Sequence, residues 1–199
     1  LSAPVLIAGA TVTAGILTLA LRRLDDEHIP QAAVLAATFF VASLVNIPLG
    51  LGSVHLLLNG LAGLLLGWAA VPALLVGLTL QAVFFGYGGV LVLGVNTMNL
   101  ALPALACALL FRRSVRCASS KRRFLGAAAA GATGVLLTGF MVSATVALSG
   151  EAFLPAARIL FVAYLPLAVV EAGVTGATVA FLARVAPEVL NPLEVCKGE

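Results

Sequence analysis

The sequence predicts an all-α, polytopic membrane fold of about seven transmembrane helices, forming a single transmembrane domain over residues 1–199. Three observations carry that prediction. Hydrophobic residues make up 62% of the chain, charged residues only 10%, and the mean hydropathy is +1.16, whereas soluble domains carry about 25% charged residues. So few charges cannot cover a water-facing surface. Seven spans of about 20 residues use roughly 140 positions, which leaves short loops and no soluble domain. The basic residues sit at the ends of apolar runs and the net charge is only +3. That pattern sets membrane orientation and is no nucleic-acid footprint.

Seven apolar segments follow in order. Ala3–Leu21 is the first, closed by Arg22 and Arg23. It lacks a basic segment ahead of it and is not read as a signal peptide. Ile29–Asn46 is the second. Val54–Leu66 and Val71–Phe85, the third and fourth, are short for simple spans. They are punctuated by Pro48-Leu49-Gly50-Leu51-Gly52, by Gly67 with Pro72, and by Gly86-Tyr87-Gly88-Gly89. Irregular backbone at membrane depth survives only where protein or water satisfies its polar groups, so this punctuation predicts a packed cavity. Val90–Phe111, Phe124–Leu148 and Pro155–Val185 complete the set.

The loops give an orientation. Arg112, Arg113, Arg116, Lys121, Arg122 and Arg123 are six of the 11 basic residues, with no acid among them. Cytoplasmic loops carry such excesses. Counting spans in both directions brings Arg22, Arg23, Arg184 and Lys197 to the same side, with the N-terminus outside and the C-terminus cytoplasmic. His55 then lies near the outer face and His28 near the inner one, about 25 Å apart along a helix. The 2 histidines cannot share one site.

Candidate functional residues are the polar ones inside apolar runs. Gly52 and Ser53 predict a helix start, with His55 in its first turn and Asn59 four residues on, on the same face. Neutral imidazole is the commonest transition-metal ligand. The same pair also reads as a hydrogen bond joining two helices, and spacing alone favours that reading. Asn96 and Asn99 share a face three residues apart, and Gln81 adds a third amide at depth. These suit either a shell orienting metal ligands or interhelical hydrogen bonds. Glu171 is the one acid well inside a span, a functional candidate by its cost there. Arg158 is too distant along the helix to pair with it. Small residues at Gly126, Ala130 and Gly134, at Ala32 and Ala36, and at Ala33 and Ala37 let helices approach closely.

Other chemistry has no signature. Cys107, Cys117 and Cys196 form no C-x-x-C pair and are odd in number, which argues against a disulfide framework. There is no G-x-S-x-G, H-E-x-x-H or Walker loop. The chain is expected not to be an enzyme, and ATP-driven transport would need a separate ATPase.

The motifs Gly52-Ser53-Val54-His55-Leu56-Leu57-Leu58-Asn59-Gly60, Gln81-Ala82-Val83-Phe84-Phe85-Gly86-Tyr87-Gly88-Gly89 and Leu93-Gly94-Val95-Asn96-Thr97-Met98-Asn99 resemble those of the CbiM/NikM family. Members are substrate-capture (S) components of energy-coupling-factor importers for cobalt and nickel, and the match is nearer the cobalt branch. The resemblance implies capture of Co(II) from outside, for cobalamin synthesis, in a multi-pass protein of the bacterial inner membrane. Ni(II) is the alternative cargo, and a scaffold without metal the more distant one. The implied partners are the coupling subunit CbiQ, the ATPases CbiO and the small membrane protein CbiN, with no nucleic acid.

The family pattern begins Met-His. The terminal amine, the backbone nitrogen and the side chain of that second residue bind metal with a further histidine, which corresponds to His55. Ser53, Asn59, Gln81, Asn96 and Asn99 fall in the surrounding shell. Leu1-Ser2-Ala3-Pro4 resembles the stretch just after that loop, so the resemblance implies that the loop precedes Leu1.

Overall fold

The computed structural model describes residues 1–44, 46–49, 52–86, 88–117 and 119–190, with only the backbone described at 46–49, 52–54, 114 and 117. Seven α-helices account for nearly all of it: α1 (Ala3–Leu21), α2 (Ile29–Ala42), α3 (Asn59–Leu66), α4 (Ala70–Phe85), α5 (Leu93–Cys117), α6 (Ser120–Ala147) and α7 (Leu154–Val185). Short 3₁₀ turns lead into α2, α4, α5 and α7 and follow α7.

Five stretches among the described residues are long and apolar enough to cross a membrane: Ala3–Leu21, Asn59–Phe85, Val90–Arg113, Ser120–Ala147 and Glu151–Val185. The chain is therefore a multi-pass membrane protein, with fewer candidate spans than the seven expected. Two elements make the difference. The 14 residues of α2 reach only about 21 Å, against a hydrocarbon core of about 30 Å. The 8 residues of α3 form one apolar stretch with α4, turning at Gly67–Ala69.

That turn reverses the chain. His55 and Leu57 ahead of α3, and Gln81 and Gly88 at the far end of α4, line one cavity. Gly67 between them lies beside Arg112, where a Cβ would come within 2.4 Å of Nη1. Gly67 also has a φ of +59°, which a residue without Cβ adopts freely. The core is packed helix against helix. α7 lies along α6, where Gly139 meets the ring of Tyr164 and Gly131 meets Thr175. A Cβ on Gly63 would lie 2.0 Å from the carbonyl oxygen of Ala104, so α3 and α5 touch backbone to backbone. The stripe of Gly126, Ala130 and Gly134 is likewise used within the chain: Ala130 is fully buried and Gly134 packs on Asn59 and Gly60.

The third predicted segment needs correcting. Gly52–His55 is a strand, paired antiparallel with Asn46–Leu49 in the register Asn46↔His55 to Leu49↔Gly52. A hairpin satisfies backbone groups by pairing, as a helix does, and tolerates Pro48 and Gly52, which weaken a helix. The helix begins only at Asn59, after Leu58 in the left-handed region at φ 47°. His55 is thus not in a first helical turn, and it shares no helical face with Asn59.

Candidate functional site

At the hairpin end of the bundle lies a cavity of about 180 Å³. Its polar wall is His55, Gln81, Asn96, Asn99, Thr138 and Tyr164; Leu57, Leu78, Gly88, Leu100 and Val142 complete it. Five elements contribute polar groups. The end of the second strand presents His55, α4 presents Gln81, α5 presents Asn96 and Asn99 three residues apart, and α6 and α7 bring Thr138 and Tyr164.

His55 is half-buried, with Nδ1 3.0 Å from the carbonyl oxygen of Leu56. A proton on Nδ1 donates that bond and leaves the lone pair on Nε2 for a ligand. Gln81 and Asn99 are both 2% exposed. Asn99 Nδ2 donates to Thr145 Oγ1 at 3.4 Å, but neither Asn99 Oδ1 nor Gln81 Nε2 has a hydrogen-bond partner. An unpaired buried polar group costs about 1–3 kcal/mol. Two such groups on one cavity wall mark a place where a guest can supply the missing bonds.

The structure sorts the residues singled out in the sequence. His55, Gln81, Asn96 and Asn99 converge on the cavity. Asn59 does not line it. Fully buried, it ties three helices together: Nδ2 donates to Thr138 Oγ1 at 2.7 Å, to Gly134 O at 3.3 Å and to Leu100 O at 3.5 Å, and Oδ1 accepts from Gly60 N at 2.9 Å. The helix-joining role weighed for Asn59 is the one it has, with Thr138 as partner instead of His55. The side chain of Ser53, like Tyr87 and Cys196, lies outside the described residues. His28 sits at the opposite end, beside Asp25 and Arg23.

Glu171 acquires a role that sequence spacing did not reveal. It is fully buried, and its Oε1 accepts the backbone N–H groups of Leu57 and Leu58. Those donors stand two and three residues after His55, in the left-handed turn that opens α3. The carboxylate therefore fixes the segment carrying the histidine. Nothing in the sequence marks a backbone N–H as a partner, and this is why the pairing escaped. Thr138 and Tyr164 also escaped notice, being unremarkable at their positions.

What the cavity can do follows from its donors. Among the described residues no three His, Cys, Asp or Glu side chains gather into a metal-binding group. The wall offers one imidazole with neutral amides and hydroxyls. Imidazole is a general transition-metal ligand, and nitrogen sets select among divalent ions by geometry. A single histidine is too few donors to make such a set by itself.

Comparison with known proteins agrees in kind. Residues 1–189 match the family CbiM, described as the cobalt uptake substrate-specific transmembrane region. A putative metal transport protein of Haemophilus influenzae is 40% identical over 196 residues, covering 98% of this chain and 95% of that protein. The fused nickel transport protein NikMN of Rhodobacter capsulatus is 34% identical over 192 residues, covering 86% of this chain and 55% of the relative. A crystal structure of a transition metal transporter superposes with a TM-score of 0.76 at 25% identity, covering 93% of this chain and 90% of that one.

Proposed function

The chain belongs to the CbiM family of metal-transport membrane proteins, and from that premise we propose that it is the substrate-capture component of an ATP-driven energy-coupling-factor importer for Co(II). The observation that carries the reading is the convergence of His55 with Gln81, Asn96 and Asn99 on one cavity. His55 is the side-chain metal ligand. The remaining nitrogens come from a Met-His segment ahead of Leu1, folded into the cavity, as the family pattern implies. Its terminal amine and backbone nitrogen are donors the cavity wall lacks. Gln81 and Asn99, with their unpaired polar atoms, hydrogen-bond that segment and hold it in place.

In this reading the hairpin end faces outward and the arginine end faces the cytoplasm of a bacterial cell, as the positive-inside pattern supports. CbiQ couples the subunit to the ATPases CbiO, and CbiN assists loading. The imported metal serves cobalamin synthesis. Nickel is the second reading, favoured by the likeness to a fused nickel transport protein.

The test is Co(II) and Ni(II) binding by the protein carrying Met-His ahead of Leu1, beside its His55→Ala form, near pH 8. Amine and imidazole must be deprotonated to bind metal. Tight binding lost on His55→Ala, with the helical spectrum and elution unchanged, is the expected result. Equal binding by both forms would overturn the assignment. Competition between the two ions chooses the cargo.

A further inference from the structure

At the arginine end, two cavities of about 580 and 300 Å³ adjoin, sharing Trp68, Arg112 and Arg116. The larger is an apolar trough between Ile16 of α1 and Leu102, Leu105 and Leu109 of α5. The two helices touch where Gly94 meets Ala10, and the trough opens further along them. The smaller cavity is polar. Arg23, stacked 4.6 Å from the Trp68 ring centroid, faces Arg112 and Arg116 across it.

Its charge is lopsided. Asp25 is the one acid on its wall, with a side chain 79% exposed and 4.0 Å from His28 Nδ1. Arg112 Nη2 reaches Leu65 O at 3.4 Å, while its Nε is buried without a hydrogen-bond partner. Gly67 makes room for that guanidinium, because a Cβ there would collide with it. The apolar span Val90–Arg113 ends at these arginines, so they stand at headgroup depth.

We infer that this slot binds one anionic phospholipid, with an acyl chain in the trough and the phosphate between Arg23 and Arg112. Guanidinium groups match phosphate with paired donors, and basic pockets between membrane helices hold anionic headgroups. A soluble phosphate would use the polar half and leave the trough bare. An acidic segment of a partner subunit would do the same. An amphiphile fills both halves at once.

The experiment measures phosphatidylglycerol retained by the detergent-purified full chain, by native mass spectrometry, against phosphatidylcholine. One phosphatidylglycerol per chain is expected. Arg23→Gln with Arg112→Gln should weaken retention about tenfold or more. Ala106→Phe, which fills the trough and leaves every charge, should weaken it as well. Lys121→Gln with Arg122→Gln removes equal charge from exposed positions at the start of α6 and should change nothing. Thermal melts confirm that each variant is folded.

Equal loss in the Lys121/Arg122 pair would overturn the proposal in favour of diffuse surface charge. Displacement by inorganic phosphate would overturn it in favour of a soluble anion. No retention by the unmodified chain would overturn it too, leaving the slot to an acidic partner segment.

Discussion

The carboxylate of Glu171 on α7 accepts the backbone N–H of Leu58 at 2.9 Å, across 113 positions of sequence. The same oxygen also takes the N–H of Leu57. The turn that carries the chain from the strand of His55 into α3 is therefore held by one side chain from another helix. An acid inside a membrane protein is costly. Here it satisfies two donors that no helix or strand satisfies.

Glu171→Ala removes the acceptor from both N–H groups and is expected to destabilise the protein by about 2–6 kcal/mol, at about 1–3 kcal/mol per unsatisfied group. Glu171→Gln keeps an oxygen in the same place and should retain most of that stability. Melting temperature in detergent reports the difference. Cobalt retention should follow the same order, because the segment carrying His55 moves with the turn. Retention that survives Glu171→Ala undiminished would show that the turn does not position the histidine.

Asn59 and Thr138 form the strongest of the Asn59 contacts, at 2.7 Å. A double-mutant cycle of Asn59→Ala and Thr138→Val should give a coupling of about 0.6–1.7 kcal/mol, the range for hydrogen bonds between membrane helices. Asn59→Ala alone should lower stability and leave the metal affinity of the folded fraction within about threefold. An affinity loss of a hundredfold would return Asn59 to the site.

Gln81→Leu is expected to act with opposite signs on stability and capture. Gln81 Nε2 is buried without a partner, so an apolar side chain removes an unpaid desolvation and the empty protein should melt no lower. Metal retention should fall, because the amide no longer holds the guest. Parallel decline of both quantities would mark Gln81 as structural.

Gly63 and Gly15 make a matched pair. A Cβ on Gly63 meets Ala104 backbone at 2.0 Å, and one on Gly15 meets nothing within 4 Å. Gly63→Ala should cost about 1–3 kcal/mol or more by overpacking. Gly15→Ala, in the exposed middle of α1, should be neutral or stabilising by up to about 1 kcal/mol. Thermal unfolding of the two variants tests the contrast.

The long helices were legible because apolar length is a direct signal. α1 runs Ala3–Leu21 as the sequence predicts, and α7 begins one residue before its expected start at Pro155. The hairpin was not legible. Val54-His55-Leu56-Leu57 reads as the start of an apolar helix, and only pairing with the backbone of Asn46–Leu49 puts Val54 and His55 in a strand. Among cavity residues, Gln81, Asn96 and Asn99 stood out as amides in apolar surroundings. Tyr164 and Thr138 carried no such contrast. Glu171 drew notice for its charge, but its partners are main-chain groups, which every residue except proline possesses.

All eight residues of α3 are buried. Gly60 and Gly63 bring it against the backbones of α6 and α5 with no room for even a methyl group. This short helix works as a cork, seated beneath the His55 cavity with no slack to slide or tilt. That packing closes the way past α3. Under the proposed capture role, metal that enters at the hairpin end would have to leave by the same opening, and delivery to the other side would depend on which way that opening points.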